Sequence, residues 1–80
     1  MKTINIRNRK IELSKSLIDL FEEVVCCPLG EMAELYLAAT LKKSDITEDL
    51  NKMTDADIFT AIRPWIKAEF DMAGVKHEEI

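Results

Sequence analysis

Thr3-Ile4-Asn5-Ile6-Arg7-Asn8-Arg9-Lys10-Ile11-Glu12-Leu13-Ser14 is two short runs of alternating polar and apolar residues around a break at Asn8-Arg9. Period-2 alternation is the signature of a half-buried strand. Asn is a residue that tolerates the positive φ a tight hairpin turn demands. The reading is a β-hairpin over residues 1–13 with Ile4, Ile6, Ile11 and Leu13 on one face. Such a ribbon is barely stable alone, so it must lay that face on something. Everything after it reads as helix.

Ser14 can cap a helix from about Lys15 to Cys27, since a serine hydroxyl accepts an orphan N–H of the first turn. Leu17, Leu20, Phe21, Val24 and Val25 recur at helical spacing, and Ile18 widens the stripe. Pro28 ends this helix by pushing Cys27 out of the α region, and it suits the first position of the next. The second helix covers roughly Leu29 to Lys43. Met32, Leu35, Tyr36 and Ala39 form one stripe, while Leu37 and Leu41 sit off it, so this helix is apolar on two sides. Ser44 is a further cap candidate for a short helix over about Asp45 to Lys52. Thr54 caps the last, about Asp55 to Ala73, with Ile58, Ile62, Trp65, Ile66 and Phe70 inward and Phe59 alongside. Pro64 should kink or split it, because proline removes a backbone hydrogen bond and crowds the preceding turn. Gly74 suits the left-handed residue that closes a helix. The fold class is therefore mainly α (α+β): a short N-terminal β-hairpin and three or four helices packed as a small bundle. Residues 15–73 form the helical body of one domain, and 75–80 a frayed acidic tail.

Charge is sorted along the chain. Residues 1–15 carry Lys2, Arg7, Arg9, Lys10 and Lys15 against Glu12 alone, a net +4, and residues 16–80 carry a net −8. A basic edge on an acidic body can steer a charged partner. The chain has 80 residues, 48% of them apolar, which suits a single small domain and is too apolar for disorder. No apolar run nears the roughly 18 residues that cross a bilayer, and Met1–Arg7 lacks the apolar core of a signal peptide. The two cysteines, Cys26 and Cys27, are adjacent, a poor start for a disulfide, and a secreted scaffold would carry several separated pairs. The expected compartment is the cytoplasm, with no membrane contact.

Candidate chemistry is sparse. The one histidine, His77, lies in the tail beside Glu78 and Glu79, away from the rigid elements on which active sites are built. Cys26 and Cys27 lack the spacing and companions of a metal or redox site, and read as small hydrophobes at a helix end. The acids Asp45, Glu48, Asp49, Asp55 and Asp57 do not follow a calcium-loop pattern. The only glycines are Gly30 and Gly74, so no phosphate loop or dinucleotide fingerprint exists. Catalytic, cofactor and metal sites are accordingly none. Leu41 to Trp65 has the outline of a helix-turn-helix, but its would-be recognition helix opens Asp55-Ala56-Asp57, against the phosphates it should meet.

What remains is a small non-enzymatic interaction module: an adaptor, assembly chaperone, inhibitor or self-associating subunit. Its candidate contact residues are Arg7, Arg9 and Lys10 for charge and Leu37 and Leu41 for apolar contact. The partner would be another protein or a second copy of the chain. The alternative is a nucleic-acid-binding regulator using the basic hairpin, disfavoured by a pI near 4.9 and the lack of aromatics there.

Overall fold

A computed structural model of residues 1–80 shows a two-stranded antiparallel hairpin and four helices. β1 (Lys2–Ile6) pairs with β2 (Arg9–Leu13) in the register Ile4 opposite Ile11 and Ile6 opposite Arg9. The turn is therefore Arg7-Asn8, one residue earlier than Asn8-Arg9. Both turn residues have positive φ, 49° and 70°, as a two-residue hairpin loop with the right twist requires. The shift puts Arg9 in phase with Ile11 and Leu13, on the inward side of β2.

α1 (Lys15–Val25) starts at Ser14, whose Oγ accepts from the Leu17 N–H at 3.4 Å. It stops two residues short of Cys27. Cys26 turns left-handed, with φ 62°, and its N–H returns to the Glu22 carbonyl. α2 (Leu29–Leu41) follows. Pro28 is its cap residue rather than its first helical one, and it has no side chain that could accept from the first turn. Glu22 of α1 supplies that acceptor: its Oε2 takes the Leu29 N–H at 3.0 Å. Lys42, with φ 56°, closes α2. The short α3 (Thr47–Asn51) is not capped by Ser44: its cap residue is Ile46, which has no polar side chain, and the Asp45 carboxylate just before it accepts the Thr47 N–H at 3.0 Å. α4 (Asp55–Ala73) carries a reciprocal cap, in which Thr54 Oγ1 accepts the Asp57 N–H and Asp57 Oδ2 accepts the Thr54 N–H. It runs unbroken through Pro64. Thr60 and Pro64 are both exposed, so the Thr60 carbonyl that loses its partner faces water.

The core gathers Ile4, Ile6, Ile11 and Leu13 from the hairpin, Leu17, Ile18 and Phe21 from α1, Leu29, Ala33 and Leu37 from α2, and Ile46 and Leu50 around α3. α4 contributes Ile58, Ile62, Ile66 and Phe70, an unbroken i, i+4 line. No polar side chain is buried without a hydrogen-bond partner. α2 approaches β1 through Gly30. A Cβ there would overlap the Asn5 carbonyl oxygen and lie 3.0 Å from its carbon, so only glycine allows this packing. Lys2 of β1 and Lys15 of α1 share Asp19, at 3.0 and 2.7 Å, which ties the first strand to the first helix. The two lysine hydrogen bonds hold the Asp19 carboxyl below its usual range, and the same contact raises Lys2.

The C-terminal segment 75–80 touches the helical body. Val75 donates to the Phe70 carbonyl, Arg63 Nε reaches the Glu79 carbonyl at 3.3 Å, and Ile80 packs on the core. No single helix is long and apolar enough to cross a membrane.

Candidate interaction surfaces

The hairpin tip is held by the body of the domain. Arg9 emerges from the inward side of β2 and sends Nη1 to the carbonyls of Leu50 (2.6 Å) and Met53 (2.8 Å) and Nη2 to Asp55 (2.7 Å). It thereby caps the end of α3 and anchors the start of α4. Its planar fork suits several acceptors at once. Arg7, in the turn, bonds Glu34 of α2 and the Ser44 carbonyl, both at 3.1 Å, and lies 3.5 Å from Asp45. Asp45 is held below the ordinary carboxylate range, first by the Thr47 N–H and in lesser part by Arg7. Of the three tip bases, only Lys10, opposite Asn5, has no acid partner. The separation of charge along the chain is thus largely cancelled in space. Arg7 and Arg9 fasten the hairpin to the helices, and the signal for this in the sequence is the phase of Arg9 with Ile11 and Leu13.

Four of the five acids of the 45–57 segment are individually engaged as well, and Glu48 alone has no partner. Asp45 accepts the Thr47 N–H at the start of α3, Asp57 bonds back to the Thr54 N–H at the start of α4, Asp55 holds Arg9, and Asp49 holds Lys43 at 3.2 Å. No group of three or more metal-binding side chains comes together anywhere. Cys26 is exposed and Cys27 half-buried, and both are free thiols.

His77 lies 3.1 Å by Nε2 from Ser16 Oγ, a serine–histidine contact in a chain with one histidine. Its other nitrogen decides what the contact means. Nδ1 faces the Glu79 N–H at 3.1 Å, and a backbone N–H can only donate. The proton is therefore on Nε2, and His77 donates to Ser16. A general base for Ser16 would need the opposite tautomer. Ser16 in turn lies 2.9 Å from Ser14 Oγ, which already accepts from Leu17. The network tethers the C-terminal segment to the start of α1.

α2 has two apolar faces, as its sequence implies, but they are exchanged. Leu29, Ala33 and Leu37 turn inward, and Leu37 is only 3% exposed, so this leucine is core and closed to a partner. The physical reason is Gly30. Seating the helix on β1 there turns the Leu29–Ala33–Leu37 line toward the other helices. Met32 and Tyr36 take the flank facing α4, where Tyr36 stacks on Trp65 (ring centroids 5.1 Å apart, 12° between planes) and Trp65 lies over Phe21 (5.2 Å). The side directed away from the core carries Glu31, Leu35, Ala39 and Lys42, with Ala38 half-buried at its edge, where it also packs on the core. Leu35, 65% exposed, stands at its centre. Leu41, at 39%, lies on the flank toward the hairpin. Leu35 is the exposed apolar residue that sequence reasoning misses, because a helix apolar all round does not show which side is covered.

Comparison of the chain with protein-family models, with curated proteins and with solved structures returns no match.

Proposed function

We propose that this chain is a non-catalytic protein-interaction module, and that its contact surface is the outward face of α2. The observation that carries the reading is Leu35. It is a large aliphatic residue held in water at the middle of a helix whose opposite face already sits in the core, beside the small exposed Ala39 and the half-buried Ala38, whose short side chains let another backbone come close. Apolar residues that cluster on one exposed face, rather than standing singly, are what a protein contact uses, and here Leu35 and Ala39 share such a face. The flanking Tyr36–Trp65 stack adds half-buried aromatic surface of the sort that anchors interfaces. The intramolecular engagement of Arg7 and Arg9 favours this face over the hairpin tip as the meeting point and weighs against a nucleic-acid role. Two adjacent free thiols are in keeping with a cytoplasmic protein.

The test is site-specific photo-cross-linking in the native cell. A photoreactive residue at position 35 gives a discrete adduct, and one at Glu12, on the outer side of β2, gives none. Equal labelling from both positions, or none from position 35, rejects the surface.

A further inference from the structure

The outward face of α2 is electrically self-complementary. Glu31, Leu35, Ala38 and Lys42 follow i, i+4, i+7, i+11 spacing, one line along the helix. The acid is at one end and the base at the other, about 16 Å apart along the axis at helical rise. All but the half-buried Ala38 are exposed. Neither charge has an ion-pair partner within the chain: the nearby Glu34 is taken by Arg7, and Asp49 by Lys43. Set against its own reverse, a line that reads acid, leucine, alanine, base brings acid to base and leucine to alanine at every position.

We infer that a second copy of this chain covers this face, its α2 packed antiparallel to the first about a two-fold axis between Leu35 and Ala38. In that arrangement Glu31 of each copy meets Lys42 of the other, and each Leu35 fits beside the small Ala38 of its partner. A two-fold contact uses the same patch twice, so one pattern satisfies both copies. A parallel pairing would set Glu31 against Glu31 and Lys42 against Lys42. The inference rests on the reading that this face is a contact surface, and it names the occupant. The contact is small: α2 is about 20 Å long, so the buried area falls below that of a standard interface and the dimer is weak.

Sedimentation equilibrium of the full chain, wild type and charge-reversed, tests this. Wild type shows reversible dimer formation that weakens with salt. Glu31→Lys alone and Lys42→Glu alone each place two like-charge contacts in the interface and lower the association constant about tenfold or more. An equimolar mixture of the two variants restores association. One variant is then basic at both ends of the line and the other acidic at both, so each contact again joins opposite charges. Both sites are exposed, so the variants keep the wild-type circular dichroism. Should either fail to fold, Glu31→Gln and Lys42→Gln replace them, with a loss of about threefold each. Three results overturn the inference: a wild-type chain monomeric at about 1 mM, single reversals that associate like wild type, or a mixture no tighter than its components. A monomeric wild type would still leave a position-35 adduct to another protein standing, whereas loss of that adduct removes the contact surface itself.

Discussion

Arg9→Met removes the guanidinium while keeping much of the apolar stem. Three bonds go with it: two to the carbonyls of Leu50 and Met53 and one to Asp55. They are not equal. Asp55 is half exposed, and a surface ion pair is worth about 0.5 kcal/mol. The two carbonyl contacts are partly buried, at the point where α3 ends and α4 begins. Losing a charged donor from such acceptors costs about 1 kcal/mol each where water can partly replace it, and more where it cannot. The whole effect is about 2–3 kcal/mol. In a domain of this size that lowers Tm by about 10–20 °C. Thermal and urea unfolding followed by circular dichroism measure it directly. Asp55→Ala isolates the ion pair and the first-turn dipole contribution and should cost under about 1 kcal/mol. Lys10→Met, at the base without an acid partner, should be near neutral, and Arg9→Lys should recover only part of the loss because one ammonium cannot reproduce the fork. If Arg9→Met shifts Tm by less than about 3 °C, the hairpin is not fastened by Arg9 and the assignment of the tip to structure rather than to binding is wrong.

Other outcomes follow from the same contacts. Gly30→Ala should destabilise by about 1–3 kcal/mol in urea unfolding, despite alanine's better helix propensity, since the new methyl meets the Asn5 backbone; a stabilised variant would contradict the close approach of α2 to β1. Leu37→Asp should unfold the domain by placing a charge in the core, and a folded, cooperatively melting Leu37→Asp would refute its burial. Stability should fall in acid as Asp19 and Asp45 are protonated. Their carboxyls lie below the unfolded value, so their contribution is complete above about pH 4 and is lost as pH drops through the lowered folded values. Lys2 acts in the opposite sense: its raised value gives a contribution present below about pH 10.5 and lost as pH climbs past it. Asp19→Asn should remove a share of both slopes, and unchanged slopes would show the ion pairs to be without effect.

The hairpin is legible in the sequence because period 2 is unambiguous, and Ile4, Ile6, Ile11 and Leu13 are indeed its inner face. The cap residues Ser14, Thr54 and Gly74 announce their helix ends through local chemistry alone. The elements that escape are those decided by contacts distant in sequence. Cys26 ends α1 by adopting a left-handed conformation that no residue-type rule assigns to cysteine. Pro64 is tolerated because Thr60 happens to face water. The inward face of α2 is chosen by Gly30 against Asn5, far apart in the chain, and both faces are apolar enough to serve. Arg7 and Arg9 look like free charge in a linear string because their partners, Glu34 and Asp55, lie beyond any local window. The tail looks solvated for the same reason: Ser16 and Ile80 matter to it only after folding.

Leu35→Asp probes the outward face of α2 most directly. Its sedimentation, taken under conditions where its melting curve overlays that of wild type, should show a chain that is folded and no longer associates. A folded Leu35→Asp that still pairs as wild type does would mean that copies of the chain do not meet through this face.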